Sequence, residues 1–409
     1  MEFYSSFTID LSPFTLVSTA SGILRVDKIQ KGLKLSSGDQ EEPEQVITNV
    51  LGGQKKQTVQ LVLKNGNSLI LGETVIVYTL EGWKQVKDLT PSDLVLNKVD
   101  SLLNQVSNSP KVAWKDFDKE GGKYKKAYMP ISIPSALSNS FSEWLGIICS
   151  IGKYNSSNGV VSIITEDKKL SEHYLKLTKE VLNITPQKSK DKRPDRKTEH
   201  WFISKNVVEF LKIFFGTNYN LRKIPSFLLE ASAEDQKSFL KGVAYSSYID
   251  KKQVVFYSGT SKPISEFIFL ALSNLGYFAD IYTKKIPDNE ISSYYYVKIL
   301  GKNPSAESLF LDLGHSELIN KAPSVLVNNN LKDLKVKSFH PLYSSFVKAK
   351  NEKLVPLKLI SELGGNALDN YFFVPVEKVV SLGVRDLSGI KYLSAKGIVV
   401  NQIVLGGQL

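Results

Sequence analysis

The chain has a single cysteine, Cys149, in 409 residues. One thiol excludes an internal disulfide, a zinc ribbon or a CxxC redox pair, and it fits a reducing compartment. Because Cys149 lies inside an apolar run, a buried free thiol is expected. Long hydrophobic runs are missing too. Nothing approaches the roughly 18 apolar residues of a membrane span, and the opening MEFYSSFTIDLSPF lacks the basic start and apolar core of a signal peptide. Nucleus or cytosol is the expected location, with no membrane partner. The four histidines, His173, His200, His315 and His340, show no ligand-like spacing, so no metal site is expected on them. GxxxxGKS/T and GxGxxG patterns are absent, which removes support for nucleotide binding.

What is present is an ordinary globular composition, 42% hydrophobic and 23% charged, long enough for two or three domains. The formal charge of +11 permits an anionic partner without requiring one. It is spread thinly: residues 1–130 sum to +1, 131–330 to +5 and 331–409 to +5. There is no intense basic tail, so a nucleic-acid surface would have to be assembled by folding.

Two short runs stand out. WLGIICSIG (Trp144 to Gly152) has a looser echo in LKGVAYSSY (Leu240 to Tyr248), each with small residues four apart, Gly146 with Ser150 and Gly242 with Ser246. Helical spacing puts each pair on one face and lets two backbones approach closely. Each run is followed by a strand-like stretch (VVSIIT; VVFYSGT), an amphipathic stretch and a charged one, at an offset of about 95 residues. Such an order, given twice, indicates an internal duplication. Ser140 or Ser142 is expected to cap the first helix.

On these residues, residues 131–325 resemble the LAGLIDADG homing endonucleases, and IPSFLLEASAEDQKSFLKGV leading into the second run adds to the likeness. The resemblance implies two motif helices packed about a pseudo-twofold axis above saddle-shaped sheets that sit on DNA. It also implies an acid at the eighth motif position of each helix, the pair holding the divalent cations of cleavage. Those positions are Ile151 and Ser247 here, and neither can serve a hard cation.

Residues 1–100 read as strands punctuated by SG, GG, NG and EGW, with Asn65-Gly66 a hairpin turn. DLSPFTLVSTASGILRVDKI resembles the opening block of an intein, and NGNSLILGETVIVYTLEGWKQVKDLTPSDLV its hairpin block. YFFVPVEKVVSLGVRDLSGIKYLSAKGIVVNQ resembles the closing blocks. Bracketing an endonuclease-like centre, they give the layout of a large intein or an HO-like mating-type switching endonuclease. The positions where splicing chemistry is implied carry other residues. Asp10 stands for the Cys or Ser nucleophile, Gly72 and Val75 for Thr and His, Asn401-Gln402 for His-Asn, and Ile403 for the following Cys, Ser or Thr. The chain begins at Met1, nine residues before Asp10, and ends seven after Gln402, and is expected to be free-standing.

The expected fold class is multidomain. An all-β Hint-like module is formed by both chain ends (1–115 and 340–402), with an α+β LAGLIDADG-type duplicated αββαββ domain at 131–325 whose repeats fall near 140–230 and 235–320. The expected function is a degenerate derivative, inactive in splicing and cleavage, that binds double-stranded DNA. Phosphate contacts are assigned to Lys188, Lys190, Lys192, Arg193, Arg196 and Lys197 in the first repeat, to Lys284 and Lys285 in the second, and to Arg222 and Lys223 before IPSF. No cofactor is expected, magnesium entering only with residual nuclease activity. Two repeats in one chain imply a monomer. Two alternatives stay open: a protein-interaction or structural subunit of a larger assembly, and a residual HO-like nuclease with a displaced metal site near Asp250. The basic, aromatic-interleaved 326–370 segment extends the DNA surface or serves as a solvated connector.

Overall fold

The computed structural model describes residues 7–37, 44–79, 81–98, 110–112, 133–189, 198–217, 222–250, 253–277, 279–286, 289–299, 309–315, 371–393 and 397–406. The 326–370 segment and Lys190, Lys192, Arg193, Arg196 and Lys197 lie outside them. The described part is mostly β, arranged in several sheets, with helices in its middle third. None of its helices is long and apolar enough to cross a membrane.

The first ten strands are β1 (Phe7–Leu11), β2 (Leu16–Thr19), β3 (Gly22–Arg25), β4 (Lys34–Ser36), β5 (Glu44–Val46), β6 (Asn49–Leu63), β7 (Ser68–Gly72), β8 (Ile76–Thr79), β9 (Gly82–Gln85) and β10 (Leu94–Lys98). Helices then enter. α1 (Asn139–Ile151), β11 (Gly152–Asn155), β12 (Val160–Thr165), α2 (Lys168–Leu182), β13 (Gln187–Ser189), β14 (Thr198–Ile203) and α3 (Lys205–Phe215) are followed by the single turn α4 (Ser226–Leu229). Next come α5 (Ala233–Ala244), β15 (Tyr248–Asp250), β16 (Gln253–Gly259), α6 (Lys262–Asn274), β17 (Ala279–Ile286) and β18 (Asn289–Ile299). The last strands are β19 (Tyr371–Tyr392), β20 (Ile398–Val400) and β21 (Ile403–Gly406).

The chain divides into two compact units. One comprises Met1–Val106, Leu272–Ile281 and Ser324–Leu409, the other Ser107–Ala271 and Tyr282–Pro323. In the first unit a nine-stranded sheet runs β1-β7-β6-β19-β10-β21-β8-β9, with β20 beside β21, and a four-stranded sheet runs β3-β2-β4-β5. β19 ties the two chain ends together, since it pairs antiparallel with β1, β6 and β10. Its pairing with β6 shifts register three times, and such bulges bend a strand too long to stay flat. Alternation does the rest: Val59, Leu61 and Leu63 of β6 are buried together with Ile9, Leu71 and Val376.

Two turns of this unit follow from residue type. Between β6 and β7 only Gly66 adopts positive φ, +79°, while the Asn65 Oδ1 accepts from the Asn67 amide at 3.0 Å. The expected Asn-Gly turn is therefore one residue pair within a longer loop. Between β20 and β21, Val400 pairs with Ile403, and Asn401 and Gln402 have φ of 48° and 71°. Two left-handed residues closing a two-residue hairpin make a type I′ turn, which Asn favours and Gln does not.

The second unit holds two sheets of the same order, β11-β12-β14-β13 and β15-β16-β18-β17, each following a helix, α1 or α5. Both helices are capped by serine. The cap of α1 is Ser138, whose Oγ accepts from the Phe141 amide at 3.2 Å, and not Ser140 or Ser142. Ser140 instead donates to Glu180, and Ser142 is buried. α2 is capped by Asp167 and ends at Asn183 in the left-handed conformation; it buries Leu170, Tyr174, Leu177 and Leu182, at helical spacing.

Candidate functional site

α1 and α5 cross at their glycines. A Cβ on Gly146 would lie 2.1 Å from the Phe239 carbonyl oxygen, and one on Gly242 would lie 2.1 Å from that of Glu143. No other residue type fits either position, so the backbones touch there. The serines expected to share this seam do less. α5 ends at Ala244, which leaves Ser246 in the following turn with its hydroxyl on the Val243 carbonyl at 2.8 Å. Ser150 bonds its own helix at Ile147 O, 3.2 Å away.

Beside the crossing, Glu143 is buried and gathers partners from two other helices. His173 Nε2 of α2 lies 2.7 Å from its Oε1, and Lys241 Nζ of α5 donates to its Oε2 at 3.1 Å. Burial pushes this carboxyl up, but His173 and then Lys241 outweigh it and hold it below the ordinary carboxylate range.

At the other end of α1 sits Arg222. The residue expected on DNA is 5% exposed, and its guanidinium donates to the carbonyls of Cys149 at 2.9 Å and Gly152 at 3.2 Å, beside the Tyr154 ring at 5.0 Å. A cation at a helix C-terminus meets the carbonyls left over by the helix and the negative end of its dipole. Arg222 is thus corrected from a phosphate contact to the C-terminal cap of α1. Its neighbour Lys223 is exposed. Cys149 is buried as expected, its thiol pushed up to about 12 by desolvation despite the nearby guanidinium.

Ile151 closes α1, and the Ser247 hydroxyl donates to Phe256 O at 3.1 Å. A divalent cation between these helix ends would need carboxylate oxygens. A sec-butyl group and a committed hydroxyl do not fit it. Among the described residues no group of three or more His, Cys, Asp or Glu is placed to hold a metal. Asp250, two residues into β15, is exposed.

Strand register sorts the sheet residues into faces. In the first sheet Val161, Ile163, His200 and Phe202 share the buried face, while Lys153, Ser162, Trp201 and Gln187 line up on the other. Lys188 is exposed at the edge strand and pairs with His200, so register puts it on the face of His200 and not on that of Lys153 and Trp201. Desolvation, and then the Lys188 charge, lower the His200 pKa. In the second sheet Val254, Tyr257, Val297 and Ile299 are buried. Its outward face carries Tyr248, Tyr282, Tyr294, Tyr296 and Lys298. The rings of Tyr282 and Tyr294 lie 6.2 and 6.3 Å from that of Tyr296, and Lys298 Nζ sits 5.0 Å over the Tyr282 ring. Lys284 and Lys285 of β17 are exposed; two-residue alternation puts Lys284 on the face of Tyr282 and Lys285 on the opposite one. The tyrosines went unselected in the sequence, although the alternating aromatics of SSYYYVK carry the signal.

The expected splicing positions fall in the first unit. Asp10, opposite Gly389 on β19, is 4% exposed; its Oδ2 lies 2.7 Å from Lys56 Nζ and its Oδ1 has no hydrogen-bond partner. Gly72 is beside it, where a Cβ would stand 3.1 Å from that of Asp10. Val75 is buried and has no proton to move. Gln402 is 3% exposed with neither side-chain atom hydrogen-bonded, its backbone carbonyl accepting from Lys98 N at 2.6 Å, and Ile403 is buried. Asn401 O accepts from Asn67 Nδ2. The structure therefore brings Asp10 and Gly72 together, and it seats Asn401 and Gln402 in the turn of a hairpin.

No protein-family model matches the chain, and no curated protein does. Solved structures do. The chain is similar to the DnaB intein from Synechocystis sp. PCC 6803, at 17% identity over 23% of this chain and 70% of that one, with a TM-score of 0.21. It is similar to the gp41-1 intein at 22% identity, over 23% and 69% of the two chains, with a TM-score of 0.20. It is also similar to mesophilic variants of the homing endonuclease I-DmoI, at 17% identity over 43% of this chain and 94% of that one, with a TM-score of 0.31. The structural neighbours are inteins and a homing endonuclease, each overlapping less than half of this chain.

Proposed function

We propose that this is an intein- and homing-endonuclease-derived protein, HO-like in layout, that binds DNA through the outward faces of the two four-stranded sheets of its second unit and neither splices nor cleaves. The observation that carries the reading is the α1/α5 crossing. Gly146 and Gly242 hold two helix backbones in contact above two sheets of identical strand order, while the residues at the helix ends are Ile151 and Ser247. The scaffold is complete where packing is concerned, and it lacks oxygen ligands where cation chemistry would need them. In the β-rich unit the position of the nucleophile holds a buried aspartate paired with the partly exposed Lys56, and the proton-moving positions hold Gly72 and Val75. Acyl transfer needs a thiol or hydroxyl and a group to take its proton, and neither is placed there. Lys153, Lys284 and Lys298 supply the phosphate contacts.

The test is a mobility-shift assay with mixed-sequence duplex at low salt, run beside a cleavage assay with magnesium or manganese. The expected result is retention without nicking. Metal-dependent nicking that disappears in Asp250→Asn would overturn the inactive reading and revive a displaced metal site.

A further inference from the structure

The outward face of the second sheet carries more than lysine. Tyr248, Tyr282 and Tyr294 are 43, 53 and 43% exposed, and Tyr296 lies among them. Exposed rings in a contiguous row cost solvation and mark an interaction surface. Two features decide what they would meet. Lys298 stands over Tyr282 and Lys284 follows on β17, which suits an anionic partner. Neighbouring rings are inclined at 44° and 38°, at centroid separations of 6.2 and 6.3 Å, so they are not stacked on one another, and Lys298 covers one face of Tyr282. Along one strand of a duplex the bases lie about 3.4 Å apart and cover each other. A ring spacing near twice that value accepts one base per ring only from a strand drawn out and unpaired.

Building on the DNA-binding reading above, we infer that Tyr282, Tyr294 and Tyr296 form a stacking platform for unpaired bases, with Lys284 and Lys298 holding the backbone beside them. The preferred ligand is a single strand, or a duplex opened locally, over an intact double helix. Desolvation raises the Tyr296 pKa, and the nearby Tyr248, Tyr294, Asp250 and Tyr282 raise it further, so this phenol stays neutral beside phosphate at physiological pH.

Fluorescence anisotropy of the full chain with a labelled mixed-sequence 12-mer tests this, using the strand as DNA, as RNA and as DNA duplex. Wild type should bind the single strand about tenfold more tightly than the duplex, and the tighter of DNA and RNA identifies the source. Tyr282→Ala with Tyr294→Ala should weaken single-strand binding by about 25-fold, roughly fivefold per ring, and by more than it weakens duplex binding, at an unchanged melting temperature. Tyr282→Phe with Tyr294→Phe, which keeps the rings, should stay within about twofold of wild type. Undiminished single-strand binding by the alanine pair would overturn the platform while leaving duplex binding intact. Absence of binding to all three probes would overturn both readings. A concentration-dependent dimer abolished by the alanine pair would assign the face to a second copy of the chain and overturn the inference as well.

Discussion

The two sheets of the helical unit share strand order and differ in what they show to solvent. Both bury apolar residues under helices: Val161, Ile163 and Phe202 in the first, Val254, Val297 and Ile299 in the second. Outward, the first offers Lys153, a half-buried Trp201 and the exposed Ile203, whereas the second offers a row of tyrosines with lysine over it. Buried faces are held by packing, where a misfit of one methylene is felt. Exposed faces are free to diverge, so partner choice between two sheets of one strand order is decided on the surface.

The comparison breaks most severely if the shared seam is lost. Gly146→Val or Gly242→Val drives a side chain into a carbonyl 2.1 Å from its Cβ, at a cost of about 3 kcal/mol or more. Urea melts should show the second unit unfolding early while the first keeps its transition. Arg222→Met comes next. It strips the Cys149 and Gly152 carbonyls of their charged donor, and we expect a loss of about 2–3 kcal/mol, with DNA affinity at saturating stability little changed. A fall in affinity without a fall in stability would return Arg222 to the DNA surface.

Acid sensitivity is smaller, and it compares the two units directly. In the first, burial pushes the Asp93 carboxyl up, but the Thr90 amide, the Lys84 ammonium and the Thr90 hydroxyl hold it below the usual range. Glu143 is held down in the second. A carboxyl with a depressed folded pKa stabilises above its unfolded value, near 4, and that contribution disappears as pH falls through the folded value. Asp93→Asn should flatten the acid limb of the first unit's melting profile, and Glu143→Gln that of the second. An unchanged limb in either variant would place the sensitivity elsewhere. The smallest effect concerns Cys149: its thiol, raised to about 12, should react with a disulfide reagent only as fast as α1 opens, and Gly146→Val should accelerate that reaction.

Much of the backbone was legible because local chemistry decided it. The small-residue runs marked the two helices that touch, and the Val- and Ile-rich stretches marked strands. What remained hidden depended on register or on distant partners. Lys188 is exposed, but one residue of register sets it opposite the buried His200 and off the face of Gln187 and Trp201. Arg222 is 73 residues from the carbonyl it caps, a distance no local pattern reports. Asn401 and Gln402 were placed at vestigial splicing positions, and their positive φ makes them the corner of a hairpin.

The most direct test of the account is the salt dependence of DNA binding by the intact chain. With Lys153, Lys284 and Lys298 on phosphates, log K should fall against log salt with a slope of about −3 or steeper on duplex. Lys284→Ala with Lys298→Ala should make it shallower by about 2. A slope near zero, or no retention on any DNA at low salt, would contradict a nucleic-acid role for these sheets.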